Sequence, residues 1–173
     1  MVSIMLRVHE YLNQIGTFLP QLGLRFLLAW EFWESGVEKF NGENWFMHIQ
    51  DKFPFPFNVV PVELSWAMAT WFELIGAVAL VIGLGTRFFS ASLIILTIVA
   101  TASVHWPAEW STLSELVKHG YDVCNSDGGN FKLPLIYLIM FLPLLFNGAG
   151  KASIDHLIHK FYFGDNSLEK PLN

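Results

Sequence analysis

Four stretches of the chain are apolar over nearly the length that a bilayer crossing requires: Phe18 to Lys39, Val62 to Leu84, Phe88 to Trp106 and Phe131 to Phe146. A hydrocarbon core asks for about 20 mainly apolar residues per helix, and the third and fourth stretches, slightly short, extend into aromatic flanks. Only Gly85-Thr86-Arg87 separates the second stretch from the third, so these two are expected to be antiparallel neighbours. The other connections are longer. Phe40 to Pro61 contains Phe53-Pro54-Phe55-Pro56-Phe57, the pattern of an aromatic interfacial loop, and Pro107 to Asn130 ends in a polar turn from Asn125 to Asn130.

Amphipathic segments flank these stretches. Ile154, Leu157, Ile158 and Phe161 recur at helical spacing, with Lys151, Asp155, His159 and Lys160 mostly elsewhere around the turn, which predicts an interfacial helix over 151–163. Val2 to Leu12, with Arg7, His9 and Glu10, has the same character. A short surface helix is expected over Ala108 to Lys118, begun by Ser111 or Thr112 with Glu115 behind it. The fold class read from this pattern is all-α: one integral membrane domain over residues 1–173, a transmembrane four-helix bundle with amphipathic interfacial helices at its termini.

Composition agrees with a lipid-facing surface. Hydrophobic residues make up 53% of the 173 and charged residues only 14%, outside the usual soluble mix. The 16 Phe and 7 Trp suit rings that fill a helical interior and anchor helices at both interfaces. A net charge of -5 without a basic block excludes the footprint of a nucleic-acid binder. The single cysteine, Cys124, rules out an intramolecular disulfide and a cysteine-only metal site. The N-terminus lacks the basic start, short apolar run and small-residue site of a cleaved signal peptide. Four crossings place both termini on one side, with Arg7, Arg87, Lys151, Lys160 and Lys170 against Lys39, Lys52, Lys118 and Lys132 on the other, which favours cytoplasmic termini by one residue.

Ionisable residues inside apolar stretches cost about 2.5 to 3.5 kcal/mol each on insertion scales, so each needs a partner or a task. The first stretch holds Arg25, Glu31, Glu34, Glu38 and Lys39, the second Glu73, and the third ends at His105. Glu31, Glu34 and Glu38 share one helix face, and Glu34 with Glu38 forms a like-charge pair one turn apart that calls for a proton, a cation or a basic side chain. Glu73 is expected at the depth of Glu31, among Ala69, Gly76, Ala77 and Gly83, small residues that admit a neighbouring backbone. Thr97, Thr101 and His105 make a polar stripe ending in an imidazole.

Two readings follow. In one, the groups form a structural network in which Arg25 pairs Glu73 while Lys39 and His105 neutralise the outer acids. In the other, Glu31, Glu34, Glu38 and His105 form an outward-facing site for a metal ion or a proton relay, or Arg25 and Glu73 flank a quinone-type ligand between helices. No Glu-x-x-His pair, Ser-His-Asp set, Cys-x-x-Cys pair or phosphate-cradling glycine loop is present, which disfavours an autonomous hydrolase or kinase.

Arg25 through Phe32, Gly36 and Lys39-Phe40, then Glu73-Leu74-Ile75-Gly76, Gly83-Leu84-Gly85-Thr86-Arg87 and Gly148-Ala149-Gly150-Lys151-Ala152-Ser153-Ile154-Asp155, resemble the DoxX family of small four-helix membrane proteins. The likeness runs from about Leu22 to Leu157 and is looser in the two long loops. The tryptophan-rich first span, the Pro-rich loop and His105-Trp106-Pro107 look most like the HvfX-type members, associated with copper-linked modified peptides. The resemblance implies a bacterial inner-membrane protein, since relatives include the DoxD-type subunit of thiosulfate:quinone oxidoreductase and partners in membrane oxidative-stress complexes. Arg25, Gly36, Lys39, Glu73, Gly83, Thr86, Arg87 and Asp155 match the family pattern, whereas Glu31, Glu34 and His105 are additional.

The function expected is a non-autonomous membrane component of a redox or copper-homeostasis system, with copper ion or quinone as the implied cofactor and a membrane or periplasmic redox or metal-handling protein as partner. A small metal-ion or solute transporter, or a membrane anchor for soluble redox partners, is the alternative. A channel would require a homo-oligomer, because four helices enclose little lumen.

Overall fold

A computed structural model describes residues 2–107, 110–120 and 129–164 of the chain; Cys124, residues 125–128 of the polar turn and Lys170 lie outside them. Every regular element among the described residues is helical. In chain order these are α1 (Val2–Gly16), α2 (Leu19–Asn41), α3 (Val62–Ile82), α4 (Thr86–Ala100), α5 (Leu113–Gly120), α6 (Lys132–Asn147) and α7 (Ile154–Phe163), with short 3-10 turns between Trp45 and Val59.

Local chemistry sets the boundaries. Pro20 stands in the first turn of α2, where its missing N–H has no helical partner to lose. Gly83 ends α3 at φ +70 and donates its N–H to the Ala79 and Leu80 carbonyls at 2.8 and 3.2 Å, a left-handed stop that a side chain resists. Past Ala100, α4 runs on through one π turn, Thr101–His105. The surface helix α5 starts where Thr112 and Glu115 form a capping box: the Glu115 carboxylate accepts from the Ser111 and Thr112 amides, and the Thr112 hydroxyl from the Glu115 amide. The expectation began this helix at Ala108; it begins at Leu113, because the cap lies at Thr112.

Helix α2 packs against α3 and α6, and α4 against α3 and α6. Leu28 and Phe32 of α2, Ala77 and Leu80 of α3, Leu93 of α4, and Phe141 and Leu144 of α6 fill the space between them. Close approach depends on small residues: a Cβ on Gly36 would sit 2.9 Å from Leu74, and one on Gly76 would sit 3.2 Å from Leu93. Large apolar side chains, among them Phe26, Trp30, Phe88, Ile95 and Ile139, point outward instead.

Helices Val62–Ile82 and Thr86–His105 are long and apolar enough to cross a membrane. The expected first and fourth spans correspond to α2 and α6, which differ: α2 has 23 residues but carries Arg25, Glu31, Glu34, Glu38 and Lys39, and α6 is apolar but has 16. By length and composition, two of the four expected spans meet the requirement.

One end of the helices is closed by Arg25. Its side chain, 1% exposed, donates from Nε to Leu80 O at 2.7 Å, from Nη1 to Ala149 O and Ala152 O at 3.0 and 2.7 Å, and from Nη2 to Val81 O at 2.6 Å. These carbonyls belong to the C-terminal turn of α3 and the α6–α7 connection, so one guanidinium ties the end of α3 to that connection through charge-assisted hydrogen bonds. Asp155 completes the closure. Its carboxylate accepts from the Gly85 and Thr86 amides at 2.7 and 2.9 Å, capping α4, and its own N–H donates to Gly83 O at 2.9 Å. The expected Arg25–Glu73 pair is therefore not formed: Arg25 lies 14 residues before Lys39, the actual partner of Glu73, or about 21 Å along the helix.

Candidate functional site

At the other end, α2, α3, α4 with its π turn, and α6 diverge around a partly enclosed cavity of about 530 Å³. The loop after α2 folds over it. Asn44 accepts from the Phe46 amide through Oδ1, Gln50 donates to Val60 O at 2.6 Å, and Phe46 meets Phe53 and Trp66 edge-on at ring distances of 5.1 and 5.0 Å. Trp45, Phe46, Phe53 and Phe57 thereby become an aromatic cover.

The α2 wall carries Glu31, Phe32, Glu34, Ser35, Glu38 and Lys39, the face that helical spacing predicts. Helix α3 supplies Ser65, Met68, Ala69 and Glu73, and α6 supplies Pro134 and Tyr137. On α4 the π turn changes the expected stripe. Thr97, Ser103 and His105 line the cavity, while Thr101 returns its hydroxyl to Thr97 O at 2.6 Å; the wider turn re-aims the residues after it.

Two polar contacts organise the interior. Lys39 Nζ donates to both oxygens of Glu73, at 3.1 and 2.9 Å, and to Ser35 Oγ at 2.7 Å, so its three donors are committed. Glu73 is 6% exposed. It packs against Gly36 of α2, roughly one and a half turns beyond Glu31, and the long Lys39 side chain reaches it there. Across the cavity, the Tyr137 hydroxyl donates to Glu31 Oε2 at 2.5 Å. His105 lines the same cavity from the end of the π turn.

Glu31, Glu34, Glu38, Glu73 and His105 are thus brought to one cavity, and Arg25 is not. They share walls without converging: among the described residues, no three His, Cys, Asp or Glu side chains form a group able to hold a metal ion. Tyr137, Ser65, Trp45 and Phe46 carry no role in the sequence pattern, and Phe53 and Phe57, which read there as part of an interfacial loop, line the cavity. Tyr137 left a trace as the phenol in the last apolar stretch, and Ser65 as a hydroxyl early in the second. The cover depends on how a loop folds back, which no spacing encodes.

Comparison with known proteins gives a lineage. The DoxX family model matches residues 21–106. The chain is similar to an uncharacterized protein of Haemophilus influenzae (strain ATCC 51907 / DSM 11121 / KW20 / Rd), 48% identical over 148 residues, which covers 86% of this chain and 89% of the relative. No solved structure matches it.

Proposed function

The chain belongs to the DoxX family, and from that premise we propose that this membrane protein crosses the cytoplasmic membrane of a bacterium with α2, α3, α4 and α6 and holds a small amphipathic organic molecule in the cavity between them. The cavity carries this reading. About 530 Å³ of mainly apolar wall, with aromatic rings over it and a few placed polar groups, has the size and make-up of small-molecule sites. Within a four-span bundle, Glu31, Glu34, Glu38 and Lys39 of α2 line the cavity, the arrangement that makes intramembrane ionisable groups tolerable. Arg87 and Lys151 fall at the closed end, and the rule that cationic residues stay inside then turns the cavity outward.

The redox component expected from the resemblance enters here as the setting of this site. The protein takes part without being an autonomous enzyme, presenting the bound molecule to a partner in or at the membrane. A ring of quinone size fits the volume, with Glu73 and Tyr137 beside it and Arg25 outside. The copper reading draws no support from the described residues, since the acids and His105 do not converge.

The test uses purified protein in neutral detergent, titrated with aryl-alkyl probes of differing charge and followed by tryptophan fluorescence. Saturable binding of at least one probe, lost in Met68→Trp with melting temperature retained, is expected, because the new indole fills the cavity from the α3 wall. Partitioning without saturation for every probe, or unchanged binding in the folded variant, overturns the reading.

A further inference from the structure

The polar groups of the cavity are strongly asymmetric. Its wall carries four carboxylates, Glu31, Glu34, Glu38 and Glu73, against the single ammonium of Lys39. Several donors are already engaged: Lys39 with Glu73 and Ser35, Tyr137 with Glu31, Thr97 with Leu93 O and Ser103 with Val99 O. Acceptors remain. Glu34 and Glu38 are exposed on the wall without an ion-pair partner among the described residues, and Glu31 has a second oxygen.

A separate observation points to an occupant. Ser65 is 6% exposed, lines the same cavity, and its hydroxyl has no hydrogen-bond partner. A buried hydroxyl left this way carries a desolvation penalty that a bound polar group relieves. Phe46, Phe53 and Trp45 line the same cavity, and aromatic ring faces attract cations as well as apolar matter.

Resting on the reading that the cavity is a ligand site, we infer that its ligand is a lipophilic organic cation: an amine, amidine or quaternary ammonium carrying an apolar body. The cationic head sits between Glu34 and Glu38, relieving the repulsion of two carboxylates one turn apart, and the body lies under the aromatic cover beside Ser65. A quinone is a poorer match, because it brings acceptors to a wall dominated by acceptors and leaves Glu34 and Glu38 uncompensated. An inorganic cation is also poorer, because the carboxylates do not converge and the apolar wall contributes nothing to it.

The experiment compares phenylbutylamine, phenylbutanol and phenylbutyrate, three probes with one body and different heads, on the full chain in zwitterionic-lipid nanodiscs. The amine is expected to bind about tenfold tighter than the alcohol, with the carboxylate weakest, from one screened ion pair and one cation–π contact. Glu34→Gln/Glu38→Gln is expected to bring the amine down to the alcohol while leaving the alcohol unchanged. High salt should narrow the same gap in the unaltered protein, which requires no variant to fold. Equal or tighter binding of the alcohol or carboxylate overturns the cation assignment and leaves the cavity as a ligand site. Failure of all three probes removes the cavity reading itself.

Discussion

Lys39 of α2 and Glu73 of α3 form the one ion pair found among the described residues, at 2.9 Å with both side chains largely withdrawn from solvent. Removing one partner of such a pair leaves an uncompensated charge in apolar surroundings, whereas removing both replaces it by packing. Lys39→Met is therefore expected to destabilise by about 3 kcal/mol and Glu73→Leu similarly, with Lys39→Met/Glu73→Leu recovering most of the loss. Thermal unfolding of the four proteins in one detergent measures this. Additive losses in the double variant would mean that the pair is not energetically coupled.

Arg25 acts at the opposite end and through backbone alone. Its four hydrogen bonds need a planar fork, and a lysine at the same place reaches only part of the set, leaving carbonyls at the end of α3 and in the α6–α7 connection without that donor. Arg25→Lys is expected to cost about 3 kcal/mol, since hydrogen bonds to charged groups contribute about 1.5 to 3 each, and to leave probe affinity in the folded fraction unchanged. A variant that melts normally but loses ligand would place Arg25 at the site after all.

The helices were legible in the sequence because their signals are local. Apolar runs, the Gly83 stop, the Thr112–Glu115 cap and the face shared by Glu31, Glu34 and Glu38 all follow from spacing along one element. Pairing was not legible. Arg25 and Lys39 lie on the same helix as rival partners for Glu73, and choosing between them requires the relative slide of α2 on α3, which Gly36 and Leu74 set in three dimensions. Ser103 was hidden for a related reason: a π turn breaks the regular spacing that placed Thr101 on the polar stripe.

Gly83 ends α3 directly against the Arg25 guanidinium. Its φ is +70, and a Cβ there would lie 2.5 Å from Ser153 Cβ and 2.7 Å from Arg25 Nη2. Gly83→Ala is expected to destabilise by roughly 2 kcal/mol through backbone strain, and further through displacement of the guanidinium. Gly23, inside α2 with nothing within 4 Å of its Cβ position, provides the contrast: Gly23→Ala is expected to stabilise by about 0.5 kcal/mol. Chemical denaturation of both variants checks the pair, and equal effects would deny Gly83 its special place.

Tyr137 and Glu31 permit a test of the cavity's charge that runs toward gain rather than loss. In the protein the phenol hydroxyl donates to Glu31 and disperses part of its negative charge. Tyr137→Phe keeps the ring that Phe32 packs against, 6.2 Å away between centroids, and removes only the donor. Glu31 then keeps its full charge toward the cavity and needs a new donor, which an organic cation supplies and a neutral alcohol supplies less well. Phenylbutylamine is expected to bind about threefold tighter to Tyr137→Phe, a change of about 0.6 kcal/mol, while phenylbutanol shifts little. The two dissociation constants, measured by fluorescence titration at one salt concentration, decide it. A weaker amine in this variant would mean that the hydroxyl itself meets the ligand, and that the carboxylate beside it serves only to aim the phenol.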